Sequence, residues 1–261
     1  MYGVRLEAQV HIITGALASV QNLVRCCEMA GVKIRDIILE PLASADATLT
    51  DDEKELGAFM LDIGGGTSDF AFYQHGTVRH TKVIPLAGEL FTQDIAVCLR
   101  TPLKEAERIK EAFGCAYSKS VPLHEKIEVE MMYGGHKRSI GRSELAAIIE
   151  PRTQELFEIL YAEIKANHLH ASAGLVLTGG GSLLAGIQEI AQRILRVPVR
   201  IGKPKVDFAF KEVLESPVYA TGYGLLVYAL KKHKIQMLEN LSGPLVSRVF
   251  TRMKSWILDF L

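Results

Sequence analysis

The stretch of sequence that decides the fold runs from Ala58 to Tyr73 and reads AFMLDIGGGTSDFAFY. Its apolar first part, Ala58 to Ile63, predicts a buried strand with the carboxylate of Asp62 near its end. A second strand is predicted from Ser68 to Tyr73, and a third from Thr77 to Ile84. The sequence therefore predicts three consecutive strands with a glycine loop between the first two.

The glycine loop consists of Gly64, Gly65, Gly66 and Thr67. Glycine can adopt positive φ and lets backbone N–H groups close around an anion, so the loop predicts a phosphate site. Asp62 is expected to hold a water bound to Mg²⁺ beside the phosphates, and Thr67 to offer its hydroxyl to the terminal phosphate. No Gly-Lys-Ser/Thr follows, which excludes a Walker A loop, and the next element is a strand, which excludes a dinucleotide fingerprint. A plain glycine-rich hairpin is the alternative.

A second glycine cluster consists of Gly179, Gly180, Gly181 and Ser182. It lies between a predicted strand at residues 173–177 and a predicted helix at residues 184–195. A glycine-rich approach to a helix N-terminus suits close packing against adenosine or a phosphate. The cluster is a weak signal alone, and together with the first loop it predicts a nucleotide site.

The composition is that of an ordinary globular chain, with 48% hydrophobic and 23% charged residues among 261. The formal net charge is zero, so nothing points to a nucleic-acid partner. The four cysteines have no C-x-x-C spacing, which indicates a reducing cytoplasm. We find no signal-peptide pattern and no apolar run of the roughly 20 residues that span a bilayer. Any membrane contact is expected to be peripheral.

Other segments have weaker patterns. Residues 4–14 alternate loosely and predict an edge or hairpin strand, and Val32 to Leu39 predicts a short buried strand. Asp51 to Glu55 is predicted to be an acidic, solvated stretch. A helix is predicted from Pro217 to Leu230, and the polar residues 231–243 after it predict a linker.

Several of these segments resemble the superfamily that contains actin, heat-shock chaperones and sugar kinases. Leu61 to Tyr73 resembles its second phosphate loop, and Val176 to Gly186 resembles its adenosine motif. Ile38 to Ala45 and Ala220 to Gly224 resemble its two connecting segments. The resemblance implies a partial actin-like (ribonuclease H-like) α/β fold, with a C-terminal amphipathic helix, that takes ATP and Mg²⁺.

Within the superfamily, the chain is most similar to the FtsA family of bacterial division proteins. The similarity runs from about Gly3 to Leu261 and is carried by Val10–Thr14, Leu42–Ser44, Glu55–Gly57, Val78–Pro85, Ile149–Arg152 and Val199–Gly202. Complete members have an N-terminal half with the first phosphate loop and an inserted subdomain. The resemblance therefore implies that this chain is a C-terminal portion, and that ATP binding by the chain alone is weak or absent.

The resemblance also implies a division into domains. The expected units are residues 1–50, a remnant of the first nucleotide subdomain; residues 51–85 and 169–230, the second nucleotide-binding subdomain; residues 86–168, an inserted partner-binding subdomain; residues 231–243, a linker; and residues 244–261, a membrane-targeting amphipathic helix.

Glu40 and Asp62 are the expected catalytic residues. A carboxylate near the γ-phosphate can orient the attacking water without being a strong base, which is the role expected of Glu40. The alternative is a surface glutamate at the start of a helix. Glu107 and Lys110 lie three apart on one helix face, where the resemblance implies contacts with ribose and adenine. A solvated, salt-bridged helix is the alternative, and Asp69 is expected to brace the hairpin.

The C-terminal segment, residues 244–261, has apolar residues at helical spacing, with basic residues mostly off that stripe. Such a helix suits the bilayer interface, although a helix docked on the core is the alternative. The resemblance implies a membrane anchor that becomes effective when filaments form. The residues expected to enter the membrane are Val249, Phe250, Met253, Trp256, Ile257 and Phe260.

The function implied by the resemblance is that of an actin-like, ATP-binding division protein, at most a weak ATPase. It would polymerise and tether the FtsZ ring to the inner face of the cytoplasmic membrane at the septum. The expected partners are the C-terminal tail of FtsZ, further copies of the protein, an anionic membrane surface and other division proteins. A sugar or acetate kinase and a pilus-assembly ATPase are alternatives. We find no motif for the catalytic base of a kinase, and neither alternative needs an amphipathic tail.

Overall fold

The computed structural model describes residues 5, 7, 10–133, 136–206 and 214–241. The predicted amphipathic segment at residues 244–261 lies outside the described residues, together with its membrane candidates Val249, Phe250, Met253, Trp256, Ile257 and Phe260. Among the helices of the described residues, we find none long and apolar enough to cross a bilayer.

The helices are α1 (Leu17–Met29), α2 (Glu40–Thr48), α3 (Asp51–Leu56), α4 (Gly88–Leu99), α5 (Leu103–Phe113), α6 (Arg142–Ala166), α7 (Ile187–Leu195) and α8 (Ala220–Leu241). The strands are β1 (Ala58–Ile63), β2 (Ser68–Gln74), β3 (Thr77–Ile84), β4 (Lys126–Glu130), β5 (Lys137–Gly141), β6 (Leu175–Thr178) and β7 (Val199–Ile201). Short 3₁₀ turns occur at Ser118–Ser120, Gly180–Leu183 and Pro217–Tyr219.

The main sheet has five strands in the order β3-β2-β1-β6-β7. The strands β1, β2 and β3 are antiparallel neighbours, whereas β6 is parallel to β1 and β7 is parallel to β6. The prediction of three consecutive strands is therefore confirmed. Strand β1 lies at the centre of the sheet, and all six of its residues are buried.

Side chains of β1 alternate between the two faces of the sheet. Phe59, Leu61 and Ile63 pack on one face in a cluster with residues of α6 and α7. Met60 packs on the other face with Ala45 of α2. Asp62 shares that second face, so the alternation directs its carboxylate toward α2, along which α8 packs.

A smaller unit lies between β3 and β6 in the chain. Strands β4 and β5 form a two-stranded antiparallel sheet. The sheet packs against α4, α5 and the start of α6 through a separate apolar cluster, which includes Ile95, Ile109, Ile127, Ile140 and Leu145. This packing positions the N-terminus of α4 beside the glycine loop that follows β1.

Two predicted strands are absent from the residues that the structure describes. The predictions are wrong for residues 10–14 and for Val32 to Leu39, which have no regular secondary structure. Val32 and Ile37 are 57% and 53% exposed, and α1 has no buried residue. A strand needs a neighbouring strand, and within the described residues neither segment pairs with one. The apolar pattern therefore predicted buried side chains, but in the described part of the chain these side chains are largely exposed.

The predicted linker at residues 231–243 also differs, because α8 continues to Leu241. No glycine or proline interrupts the sequence between Gly224 and Gly243, so the helix has no local reason to end at residue 230. Its basic residues also hold it to the rest of the molecule. Lys231 pairs with Asp46 of α2 at 3.0 Å, and Lys232 pairs with Asp36. The acidic residues 51–55 likewise belong to helix α3.

Candidate functional site

Asp62 lies where the parallel strands β1 and β6 both end. Its Oδ2 atom accepts hydrogen bonds from Ser44 Oγ at 2.5 Å and from Thr221 Oγ1 at 3.1 Å, and the two hydroxyl oxygens are 2.9 Å apart. Ser44 belongs to α2 and Thr221 to the first turn of α8, so three elements meet at one carboxylate. Ligands of open α/β sheets bind beyond the carboxyl ends of the strands, which makes this end of the sheet the candidate site.

A second buried carboxylate, Asp69, lies close to Asp62. Burial raises the pKa of Asp62, and the hydrogen bonds from Ser44 and Thr221 lower it less than burial raises it. Burial also raises the pKa of Asp69. The hydrogen bond that its Oδ2 accepts from Thr67 Oγ1 at 2.9 Å lowers this pKa, and the charge of Asp62 raises it. The charge of Asp62 therefore disfavours the ionised form of Asp69.

Glu40, in the first turn of α2, adds a third carboxylate. Its side chain is open to solvent on one side, yet the protein atoms around it desolvate it and raise its pKa. The charges of Asp69 and Asp62 raise it further, while a hydrogen bond with Thr221 lowers it. Within the described part of the chain, no lysine or arginine offsets the charge of any of the three. A bound cation would therefore be favoured here.

The donor set fits a hydrated Mg²⁺ rather than a metal held by protein ligands alone. Among the described residues, no group of three or more His, Cys, Asp or Glu side chains could hold a metal ion. Mg²⁺ keeps several of its waters and is usually bound through one or two carboxylates together with substrate phosphates. Asp62 and Glu40 are the carboxylates that would hold it here.

The loop Gly64–Thr67 is closed by its own backbone. The N–H of Gly64 donates to the carbonyl of Thr67 at 2.9 Å, and the N–H of Gly88 in α4 donates to the carbonyl of Gly64 at 3.0 Å. Positive φ is not the reason for the glycines, because Gly64, Gly65 and Gly66 all have negative φ, so that expectation is wrong. The glycines instead leave space. A Cβ on Gly66 would meet no protein atom within 4 Å, and the loop is open to a ligand on this side.

The second glycine cluster packs directly on the end of β1. Gly179 has a φ of +80°, and a Cβ there would overlap Asp62 Oδ1 and the backbone of Ile63. A Cβ on Gly181 would overlap the side chain of Ile63. Ser182 is buried, and its Oγ donates to the carbonyl of Gly179 at 2.7 Å, so its hydroxyl proton is used within the turn. Gly180 is the exposed member of the cluster.

Glu107 and Lys110 contact each other beside the glycine loop. Lys110 Nζ donates to Glu107 Oε2 at 2.8 Å, to Thr92 Oγ1 at 2.9 Å and to the carbonyl of Gly88 at 3.1 Å. Burial raises the pKa of Glu107, but the hydrogen bonds from Lys110 and Thr92 outweigh it and lower the pKa. Because the N–H of Gly88 binds the carbonyl of Gly64, this network is connected to the loop.

A family model described as cell division protein FtsA matches residues 59–224, which include both glycine segments and Thr221. The chain belongs to the FtsA family. It is 43% identical to FtsA of Pseudomonas aeruginosa and 40% identical to FtsA of Escherichia coli K12, in each case over 98% of its own length. It spans 64% and 62% of the length of these two relatives.

The fold of this FtsA-family chain is a partial actin-like fold, as predicted. Its structure is similar to that of MreB5 of Spiroplasma citri bound to ADP, with a TM-score of 0.65 and 20% sequence identity over 85% of this chain and 68% of that one. Membership of the FtsA family favours the division protein over the sugar-kinase and pilus-assembly alternatives.

Two residues of the site were missed by sequence reasoning. Ser44 and Thr221 lie in the connecting segments, but their hydroxyls are separated by 177 positions and meet only at Asp62. The sequence feature that could have identified them is a serine or threonine in each of two segments rich in alanine or glycine. The structure places Asp62, Glu40, the loop Gly64–Thr67 and the cluster Gly179–Ser182 at one end of the sheet.

Proposed function

We propose that this FtsA-family chain acts in cell division as part of an actin-like protein that binds ATP with Mg²⁺, polymerises and tethers the FtsZ ring to the membrane. The observation that carries the nucleotide part is the meeting of Gly64–Thr67 and Gly179–Ser182 at Asp62. The names of the relatives support the role in division, and the ADP in the MreB5 structure supports nucleotide binding by this fold.

The residues at the end of the sheet suggest how the phosphates are bound. The N–H groups of Gly65 and Gly66 donate to no protein carbonyl within the described residues, and both glycines are exposed. They would donate to phosphate oxygens, as oriented backbone amides do in other anion sites. When bound, Mg²⁺ would neutralise phosphate charge. Glu40 would orient a water molecule without acting as a strong base. We therefore expect at most a weak ATPase.

Gly66→Ala is expected to weaken binding of ATP with Mg²⁺ by about tenfold, or about 1.4 kcal/mol. The new methyl group would meet no protein atom within 4 Å, so it would project into the space left for the ligand. Binding is measured by titrating the full chain with ATP and Mg²⁺ and following its amide resonances by NMR, which detects weak complexes.

Gly222→Ala is the control for this experiment, because a Cβ at Gly222 also meets no protein atom within 4 Å but lies on the exposed side of α8. We expect this variant to bind ATP as the wild type does. Equal affinities for wild type and Gly66→Ala would place the phosphates elsewhere, and resonance shifts confined to residues far from the loop would have the same meaning.

The membrane part of the proposal concerns residues 244–261. Their apolar stripe with flanking arginine and lysine suits an interfacial helix, and anionic lipid contributes about 1 kcal/mol for each nearby basic residue. Helix α8 ends three positions earlier, at Leu241, and is held to α2 by Lys231 and Asp46. The anchor would therefore be attached to a helix that is itself fixed to the nucleotide site.

Deletion of residues 244–261 is expected to abolish binding to vesicles that contain anionic lipid, measured by co-sedimentation. A second variant replaces Trp256 and Phe260 by alanine in the full chain. It removes two apolar anchors and keeps the basic residues, so it tests the apolar contribution separately. This variant should lose most of its binding. The anchor assignment fails if the deleted protein still sediments with the vesicles as the wild type does.

The proposed partner surface for the FtsZ tail is the smaller unit within residues 86–168. Two basic residues, Lys137 and Arg138, are exposed on strand β5 of this unit. They would suit an acidic peptide. Further copies of the protein and other division proteins complete the proposed partners, and the proposed location is the cytoplasmic face of the membrane at the septum.

A further inference from the structure

Two hydroxyl groups and one glycine hold the carboxylate of Asp62 from both sides. Ser44 Oγ and Thr221 Oγ1 lie 2.5 and 3.1 Å from Oδ2. On the other side, Gly179 approaches Oδ1 so closely that a Cβ there would overlap it. Both carboxylate oxygens therefore have close protein neighbours, and those on Oδ2 are hydrogen-bond donors.

The two hydroxyls are presented by helices in direct backbone contact. A Cβ on Gly224 of α8 would overlap the carbonyl oxygen of Ala43, the residue before Ser44. Ser44 has no exposed surface, and its carbonyl accepts a hydrogen bond from Thr48 Oγ1 at 2.7 Å. Because the helices touch here, the backbone positions that carry the two hydroxyls are held at a fixed separation beside Asp62.

Thr221 also connects Asp62 to the second candidate catalytic residue. Its hydroxyl lies 3.1 Å from Asp62 Oδ2 and 2.9 Å from Ser44 Oγ, and it also lowers the pKa of Glu40. The Ser44 proton is donated to Asp62. Thr221 has one proton, and it can satisfy only one carboxylate at a time. Asp62 and Glu40 therefore share the influence of one hydroxyl, and among the described residues no basic side chain neutralises the two charges.

We propose that Ser44 and Thr221 are positioning residues of the nucleotide site, which orient Asp62 and Glu40 toward the hydrated Mg²⁺ that accompanies the phosphates. The inference rests on the proposed nucleotide binding. It assigns the two hydroxyls to the magnesium-dependent part of nucleotide affinity, whereas the backbone amides of the glycine loop supply the magnesium-independent part.

The test compares ATP affinity in Mg²⁺ and in EDTA for the full chain and three variants. Thr221→Val keeps the shape and removes the hydroxyl, Ser44→Ala removes the other hydroxyl, and Thr221→Ser keeps the hydroxyl. We expect the ratio of the two affinities to fall by about tenfold in Thr221→Val and Ser44→Ala, the effect of losing one hydrogen bond to a charged group. Affinity in EDTA should stay unchanged, and Thr221→Ser should keep the wild-type ratio.

Each other outcome overturns the proposal in a distinguishable way. If the wild type depends on Mg²⁺ and both hydroxyl-free variants keep its ratio, the positioning role alone is overturned. Equal losses in Mg²⁺ and in EDTA would show a structural role instead. If the wild type binds no ATP in either condition, nucleotide binding by this chain falls and the inference falls with it. Thermal unfolding of every variant checks the fold, and if Thr221→Val does not fold, Ser44→Ala and Thr221→Ser decide the result.

Discussion

Gly224→Ala is expected to destabilise the protein by about 3 kcal/mol or more, at the upper end of the range for overpacked cores. A Cβ at this position would overlap the carbonyl oxygen of Ala43, which is backbone and cannot rotate away. Helices α2 and α8 would have to separate, and this movement would also pull Ser44 and Thr221 away from Asp62. We therefore expect lower stability and a damaged candidate site from a single methyl group.

The measurement is urea unfolding followed by circular dichroism, with Gly222→Ala as the matched control. Gly222 lies two residues earlier in the same helix, is exposed and has no protein atom within 4 Å of an added Cβ. Alanine favours a helix over glycine by about 0.5–1 kcal/mol, so this variant should be slightly more stable than the wild type. The close helix contact would be disproved by equal unfolding midpoints for Gly224→Ala and the wild type.

Gly179→Ala is expected to have a comparable effect for a different reason. The residue has a φ of +80°, which is unfavourable for alanine, and its Cβ would overlap Asp62 Oδ1 and the backbone of Ile63. The two costs together predict a loss of about 3 kcal/mol or more. Because the overlap involves Asp62 itself, the variant should also lose magnesium-dependent nucleotide binding even under conditions where it stays folded.

Gly180→Ala is the neighbouring control for this second prediction. Its φ is negative, and the nearest atom to an added Cβ is Val218 Cγ2 at 3.9 Å, an ordinary van der Waals contact. We expect its stability to stay within about 0.5 kcal/mol of the wild type, as for most surface substitutions. Similar unfolding curves for the two variants would contradict the close packing of Gly179 on the end of β1.

The elements that could be predicted from the sequence are those with a strong local pattern. Strands β1 to β3 were predicted with nearly their observed bounds, because an apolar run, a glycine loop and a tight turn follow one another in 27 residues, from 58 to 84. The candidate residues Asp62 and Gly64–Thr67 could be named from the sequence because the strand, the carboxylate and the glycines are contiguous.

The predictions that were wrong depended on what lies next to a segment. Val32 to Leu39 is apolar enough for a buried strand, but strand formation requires a partner that the described residues do not supply. Residues 231–241 are polar enough for a linker, but their helix is held by ion pairs with Asp36 and Asp46, which lie far away in sequence. The apolar or polar composition of a segment does not show which other segments it will contact in the fold.

The sequence by itself determined that β1, β2 and β3 follow one another and that the chain resembles the FtsA family, and it predicted a phosphate loop at Asp62 to Thr67. Only the tertiary structure decided which groups hold Asp62 and why the glycines are needed. Ser44 and Thr221 are 177 positions apart, and no local periodicity links them. Likewise, the close approaches at Gly179 and Gly224 are contacts between separate elements, which become visible only when the backbone of one is packed against the other.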